Sequence, residues 1–292
     1  MPLAVRETRG VVDPPTASEL LFERYLDVHG YVGERDVDWR RRYGVSTARD
    51  PDFLVSRAGE ELAICEVKEF ASSKLDRRLA LQSFFSAGGD EVFGTAADAV
   101  QSAALEQLRP FAGVGLPLVV VLANPHGVMV PLAPRELVMS LLGTTEVAVV
   151  PVAPDAPAGP PAVERALTGR GALVARDANG VVHNPHPYLS AVVVVRERAE
   201  AQDFTEAELA RLGPDQPPET AEDRQALMVM MIEALEQAEA EGRIPDGRYE
   251  FVEVLDLSAQ PGFTGVSLPS NVFDGPRDRR MLLLPDGSLL AH

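Results

Sequence analysis

The chain has 292 residues, 46 % hydrophobic and 24 % charged, with a formal net charge of −17. That length can bury a substantial core as one large or two small domains, and no apolar run reaches bilayer-spanning length, which argues against a membrane protein. The opening MPLAVRETRG has no apolar signal core, so a cytoplasmic location is expected, and a single cysteine, Cys65, excludes an internal disulfide framework and cysteine-based metal sites.

In chain order, Ser18–Leu26 reads as a helix with Leu21, Phe22, Tyr25 and Leu26 at helical spacing and Ser18 as its N-cap. Gly30 ends it ahead of an edge-type strand over Tyr31–Trp39. Two strand-like segments follow, Pro51–Val55 and Glu61–Lys68; the second is near-continuously apolar before Glu66, as in a central strand covered on both sides. A helix over Thr95–Phe111, carrying Gln101 and Gln107, and a strand over Pro117–Ala123 close this group. Beyond it the sequence predicts a helix over Pro134–Leu142, a strand near Val147–Val152 and a Pro/Ala-rich loop to Ala162. A hairpin is expected around Ala172–Ala175 and Val181–Val182, with Asn179-Gly180 as its turn, then a buried strand over Ala191–Val195. Gly213–Pro218 reads as a loop, residues 221–241 as an amphipathic helix with a Met-rich face suited to core or partner contact, and the tail from Tyr249 as extended.

Chemistry concentrates in Pro51-Asp52 and Glu66-Val67-Lys68. Residues two apart share a strand face, so Glu66 and Lys68 point one way while Cys65 and Val67 point the other. A carboxylate buried without a partner is costly; a divalent cation shared with Asp52, with Lys68 alongside, would remove that cost. Only Lys68 and Lys74 are lysines among 27 basic residues, so a lysine beside two acids stands out. Two carboxylates and a lysine at the end of a hairpin suit a metal ion that activates water for phosphodiester cleavage. Glu19 and Glu23 lie one turn apart on the same face of the first helix, and one of them could reach such a site.

Residues 18–123 resemble the PD-(D/E)xK nuclease superfamily, matching its motif at Asp52, Glu66 and Lys68. The stretch from Glu19 through Tyr25-Leu26 to Gly30-Tyr31 is similar to the opening helix of archaeal Holliday-junction resolvases, in which a glutamate six residues before a Tyr-Leu pair belongs to the active site. The resemblance favours Glu19 over Glu23. It implies an α/β fold, a mixed central sheet flanked by helices, with a restriction-endonuclease-like core at 18–125 and an α+β extension at 130–292 packed on it. It also implies a Mg²⁺- (or Mn²⁺-) dependent nuclease acting on nucleic acid, DNA before RNA, with Glu19, Asp52 and Glu66 as metal ligands and Lys68 completing the catalytic set. Some relatives place a functional glutamine on the second core helix, followed four residues later by tyrosine. Here Leu105 follows Gln101 and Phe111 follows Gln107, so neither glutamine is assigned to the site.

The acidic balance opposes nucleic acid binding at first sight, since phosphate contacts need Lys and Arg. Arg40-Arg41-Arg42, Arg49, Lys74 and Arg77-Arg78 bracket the motif, however, and offer a phosphate-contacting rim. The alternative is a non-catalytic interaction protein on the same fold, with the motif as a salt bridge and a homodimer or protein partner bound through the acidic C-terminal half. His126, His183 and His186 sit in Pro- and Asn-rich turns and read as loop residues; no nucleophile elbow and no phosphate-binding Gly-Lys-Ser/Thr is present.

Overall fold

The computed structural model describes residues 14–70, 89–126, 130, 132–149, 162–167, 171–176, 179, 181–212 and 220–291. The first helix, α1 (Ala17–Val28), begins one residue before the expected cap. Thr16 accepts the Glu19 amide while the Glu19 carboxylate accepts the Thr16 amide, so this reciprocal box, and not Ser18, closes the helix start. The predicted strand at 31–39 shrinks to β1 (Val32–Glu34). Asp36 turns to φ 53° and breaks it, and Asp38 caps a short helix, α2 (Trp39–Tyr43).

Strands β2 (Phe53–Arg57) and β3 (Glu60–Glu69) form a hairpin whose turn residues Ala58 and Gly59 both have positive φ, as a two-residue turn matched to strand twist requires. Helix α3 (Gly89–Ser102) continues into a π-helical turn (Ala103–Leu108) and a 3₁₀ turn (Arg109–Phe111), in place of one continuous helix ending at Phe111. Next come β4 (Leu118–Ala123), α4 (Pro134–Leu142), β5 (Thr144–Val149), β6 (Ala162–Leu167), β7 (Ala175–Arg176), β8 (Val182–His183) and β9 (Ala191–Ala199). The 172–175 strand is thus reduced to its last residue plus Arg176. A helix the sequence reading missed, α5 (Glu200–Leu212), precedes α6 (Ala221–Ala240), β10 (Arg248–Asp256), β11 (Arg279–Leu283) and β12 (Leu289–Ala291). The expected extended run at 269–276 is a loop between β10 and β11. Gly180, Lys74, Arg77, Arg78 and the 213–218 loop lie outside the described residues.

Among the described residues, eight strands make one mixed sheet in the order β1-β2-β3-β4-β9-β10-β11-β12. β3, β4 and β9 are mutually parallel, and the flanking pairs β1-β2, β2-β3 and β9-β10 are antiparallel. Strands covered on both faces need apolar residues throughout, and all six of β4 and the first five of β9 are buried. One face packs α3, the π turn and α4, through Val100, Leu108, Phe111 and Leu141, against Ile64, Val120 and Val192. The other packs α1, through Leu21, Phe22, Tyr25 and Leu26, with Phe273 of the C-terminal loop, against Phe53, Cys65, Val121 and Val193. Where β1 passes α1, a Cβ at Gly33 would lie 2.7 Å from Leu26 Cδ1, so a larger residue there would have to displace the end of that side chain. No helix among the described residues is long and apolar enough to cross a membrane.

Candidate active site

The site lies where β2 begins and β3 ends. Antiparallel register pairs Phe53 with Cys65, so Asp52, the residue before β2, stands opposite Glu66 on the α3 face of the sheet. The Val67 amide donates to Asp52 Oδ2 at 2.8 Å and fixes that carboxylate. Lys68, two residues along the same face, donates from Nζ to Glu66 Oε1 at 2.7 Å and to Gln107 Oε1 at 2.8 Å. Gln107 Nε2 in turn donates to Glu66 Oε1.

Gln107 is the residue the sequence reading left out. It lies on the π turn, where one extra residue per turn rotates the following side chains relative to an α-helix. The readable signal was a glutamine on an otherwise apolar helix face; in the structure it is buried against the site. The π turn is held from outside: Tyr188 Oη donates to Ala104 O at 3.1 Å and contacts His186 Nδ1 at 3.1 Å, and the Arg109 amide donates to the same carbonyl. Both His186 and Tyr188 are buried, so His186 is a core support and not the solvent-facing loop residue its sequence context suggested.

Glu66 is 2 % exposed and carries the electrostatic tension of the site. Burial first, and the facing Asp52 carboxylate second, push its carboxyl up to about 8, with Lys68 opposing. Asp52 is raised too, chiefly by burial; the Val67 amide works against that, and the Glu19 charge adds to it. Glu66 Oε2 is buried and has no donor. The two carboxyls stand opposite each other across the hairpin, so a proton on Glu66 would relieve their repulsion. A divalent cation would do the same, and the pair of hard oxygen ligands suits one that completes its shell with water and phosphate. Cys65, on the opposite face, is fully buried and its thiol is pushed well up, which keeps it inert.

Glu19 is near enough to Asp52 to raise its pKa, but its carboxylate is held by the Thr16 amide at 2.7 Å and by Arg35 at 2.8 Å. Arg35 also reaches Glu23, at 3.5 Å. The structure therefore brings Asp52, Glu66 and Lys68 together and stations Glu19 at their edge. Among the described residues no group of three or more His, Cys, Asp or Glu side chains is disposed to hold a metal ion. Of the expected basic rim, Arg42 is paired with Glu34 and Glu61, and Arg49 with Glu106. Arg40 and Arg41 are exposed on α2.

Comparison of the chain with protein-family models, with curated proteins and with solved structures returned no match, so the functional argument rests on the geometry of the site.

Proposed function

We propose that this is a metal-dependent nuclease that hydrolyses phosphodiester bonds of nucleic acid, DNA before RNA, on a restriction-endonuclease-like core. The observation that carries the reading is the cluster of Asp52, Glu66, Lys68 and Gln107 at one end of the sheet, in which the buried Glu66 Oε2 faces a second carboxylate and has no donor. The order of a helix, a three-stranded antiparallel unit, a helix and a parallel strand (α1, β1–β3, α3, β4) supports it.

Asp52 and Glu66 would hold Mg²⁺ or Mn²⁺, with Glu19 assisting through water. When bound, the ion would lower the pKa of its water and offset charge on the phosphate. Lys68 uses two of its three N–H donors on Glu66 and Gln107 and keeps the third to orient the attacking water or a phosphate oxygen. Gln107 prevents the flexible lysine stem from swinging away. The test is cleavage of single-stranded, double-stranded and branched DNA, and of RNA, with Mg²⁺ and with Mn²⁺. Wild type is expected to cut at least one of these, and Asp52→Ala none. Wild type that cuts none and binds neither ion refutes the proposal.

A second reading, a non-catalytic interaction protein on the same fold, is favoured by one observation: Glu66 pairs with Lys68, and Glu19 with Arg35. Metal titration separates the two. A nuclease site gains thermal stability from Mg²⁺ and loses that gain in Asp52→Ala; a salt-bridge remnant shows no gain.

A further inference from the structure

We propose that helix α6 is the docking surface for a cationic amphipathic segment of another protein, a property independent of the nuclease reading. Its middle, Leu227-Met228-Val229-Met230-Met231-Ile232, is six consecutive apolar residues, more than one helix face can bury. Its main packing partner is α5. Leu227, Met231, Leu235 and Ala238 turn toward the protein, leaving Met228 60 %, Val229 49 %, Met230 41 % and Ile232 49 % exposed. Elsewhere among the described residues no two exposed large apolar side chains are consecutive in the chain, as Val28, Val32 and Leu290 illustrate. A contiguous strip of this kind marks an interaction site.

The charges around the strip name the partner. Between Glu222 and Glu241 there are six carboxylates and one arginine. Glu222, Glu233, Glu236 and Glu239 are exposed and have no ion-pair partner among the described residues, whereas acids such as Glu197, Glu253, Asp256 and Asp274 are each met by an arginine. A second copy would set carboxylates against carboxylates, and nucleic acid or an anionic lipid surface would be repelled likewise. A segment with apolar residues at helical spacing, flanked by Lys or Arg, satisfies both the strip and the unpaired acids. The flexible methionines let the strip adapt to that segment.

The test uses the full chain and a labelled 18-residue Leu/Lys peptide with leucines at helical spacing, followed by fluorescence anisotropy. The controls are a scrambled peptide of the same composition and two variants, Met228→Gln/Ile232→Gln and Glu222→Gln/Glu236→Gln/Glu239→Gln, whose substitutions are on the surface and whose folding is checked by circular dichroism. The peptide is expected to bind, with affinity falling about 10-fold or more in each variant, with the scrambled control and at raised salt. No binding, equal binding of the scrambled peptide, or variants that bind as wild type does would overturn the proposal. So would a wild-type dimer in sedimentation that Met228→Gln/Ile232→Gln dissociates, because the strip would then belong to a second copy.

Discussion

Replacing Glu66 by glutamine removes the site's most strained titration while keeping its shape. The amide oxygen still accepts from Lys68 and Gln107, and the amide nitrogen becomes a donor to Asp52. In the wild type the Glu66 carboxyl is held near 8 instead of an ordinary 4.5, by burial and then by Asp52. A carboxyl with a raised folded pKa binds its proton more tightly in the folded state than in the unfolded chain. Its contribution to stability is therefore fully present below the unfolded value and is lost as pH climbs through about 8. Each pH step inside that window removes up to ~1.4 kcal/mol, so going from pH 6 to pH 8 weakens the wild type by ~2 kcal/mol through this group. Glu66→Gln has no such proton. Urea denaturation at several pH values in EDTA should show a wild-type curve that falls relative to the variant by that amount, other titrating groups being common to both. Adding Mg²⁺ at pH 8 should restore the wild type, by ~2.7 kcal/mol at a hundred times its dissociation constant, and leave the variant unchanged. Parallel pH curves for the two proteins, or equal stabilisation by Mg²⁺, would refute the account of the site.

Lys68→Ala should retain the Mg²⁺-induced thermal shift while cleavage falls ~10²-fold or more, the usual scale for a group that handles the reacting water; an active Lys68→Ala protein would remove the lysine from the mechanism. Gln107→Leu should slow cleavage and cost ~1–2 kcal/mol in urea denaturation, because Lys68 loses an acceptor and Glu66 a donor inside a buried cluster; unchanged kcat would make the glutamine merely structural. Tyr25→Phe deletes the 2.5 Å bond from Tyr25 Oη to Asp278 that ties α1 to the C-terminal loop. It should lower unfolding free energy by ~1–2 kcal/mol without altering Mg²⁺ binding, and an unaffected urea midpoint would show that the bond adds nothing net.

The geometry of Asp52, Glu66 and Lys68 was legible because it depends on two strict regularities, the two-residue strand period and the register of a tight hairpin. Gln107 was not. A π turn inserts one residue into a helix by virtue of what packs around it, here Tyr188 from far along the chain, and no local preference at Ala103–Leu108 announces it. Arg35 escaped notice for a similar reason, since its pairing with Glu19 and Glu23 arises only when β1 folds back beside α1. Helix α2 was readable in hindsight. Asp38 accepts the Arg41 amide as N-cap, and Gly44 closes the helix at φ 71°. The expectation of a strand ending at Trp39, with Arg40 to Arg42 as a phosphate-contacting rim, overlooks both signals. Helix α5 is polar along most of its length, so no apolar period betrayed it, whereas the predicted bounds of α4 hold to the residue.

The sheet order also bears on how far the candidate core is a unit in its own right. β4 is the last strand of residues 18–125, yet in the structure it is paired on both sides, with β3 and with β9. Leu118 to Ala123 are buried on both faces, so without β9 they would present an open edge of apolar backbone, the arrangement that soluble proteins avoid. Further ties cross the same boundary: the Leu118 amide donates to Ser190 Oγ, the Ser190 amide to Leu118 O, and Tyr188 to Ala104 O on the π turn that presents Gln107. On the opposite face Tyr25 and Tyr31 of the first helix and its following turn bond Asp278 and Asp274. The residues from 130 onward therefore complete the sheet and brace the helix turn that holds Lys68. Asp52, Glu66 and Lys68 come from one hairpin, but the second neighbour of β4 and the bond that braces the π turn carrying Gln107 come from residues beyond 130.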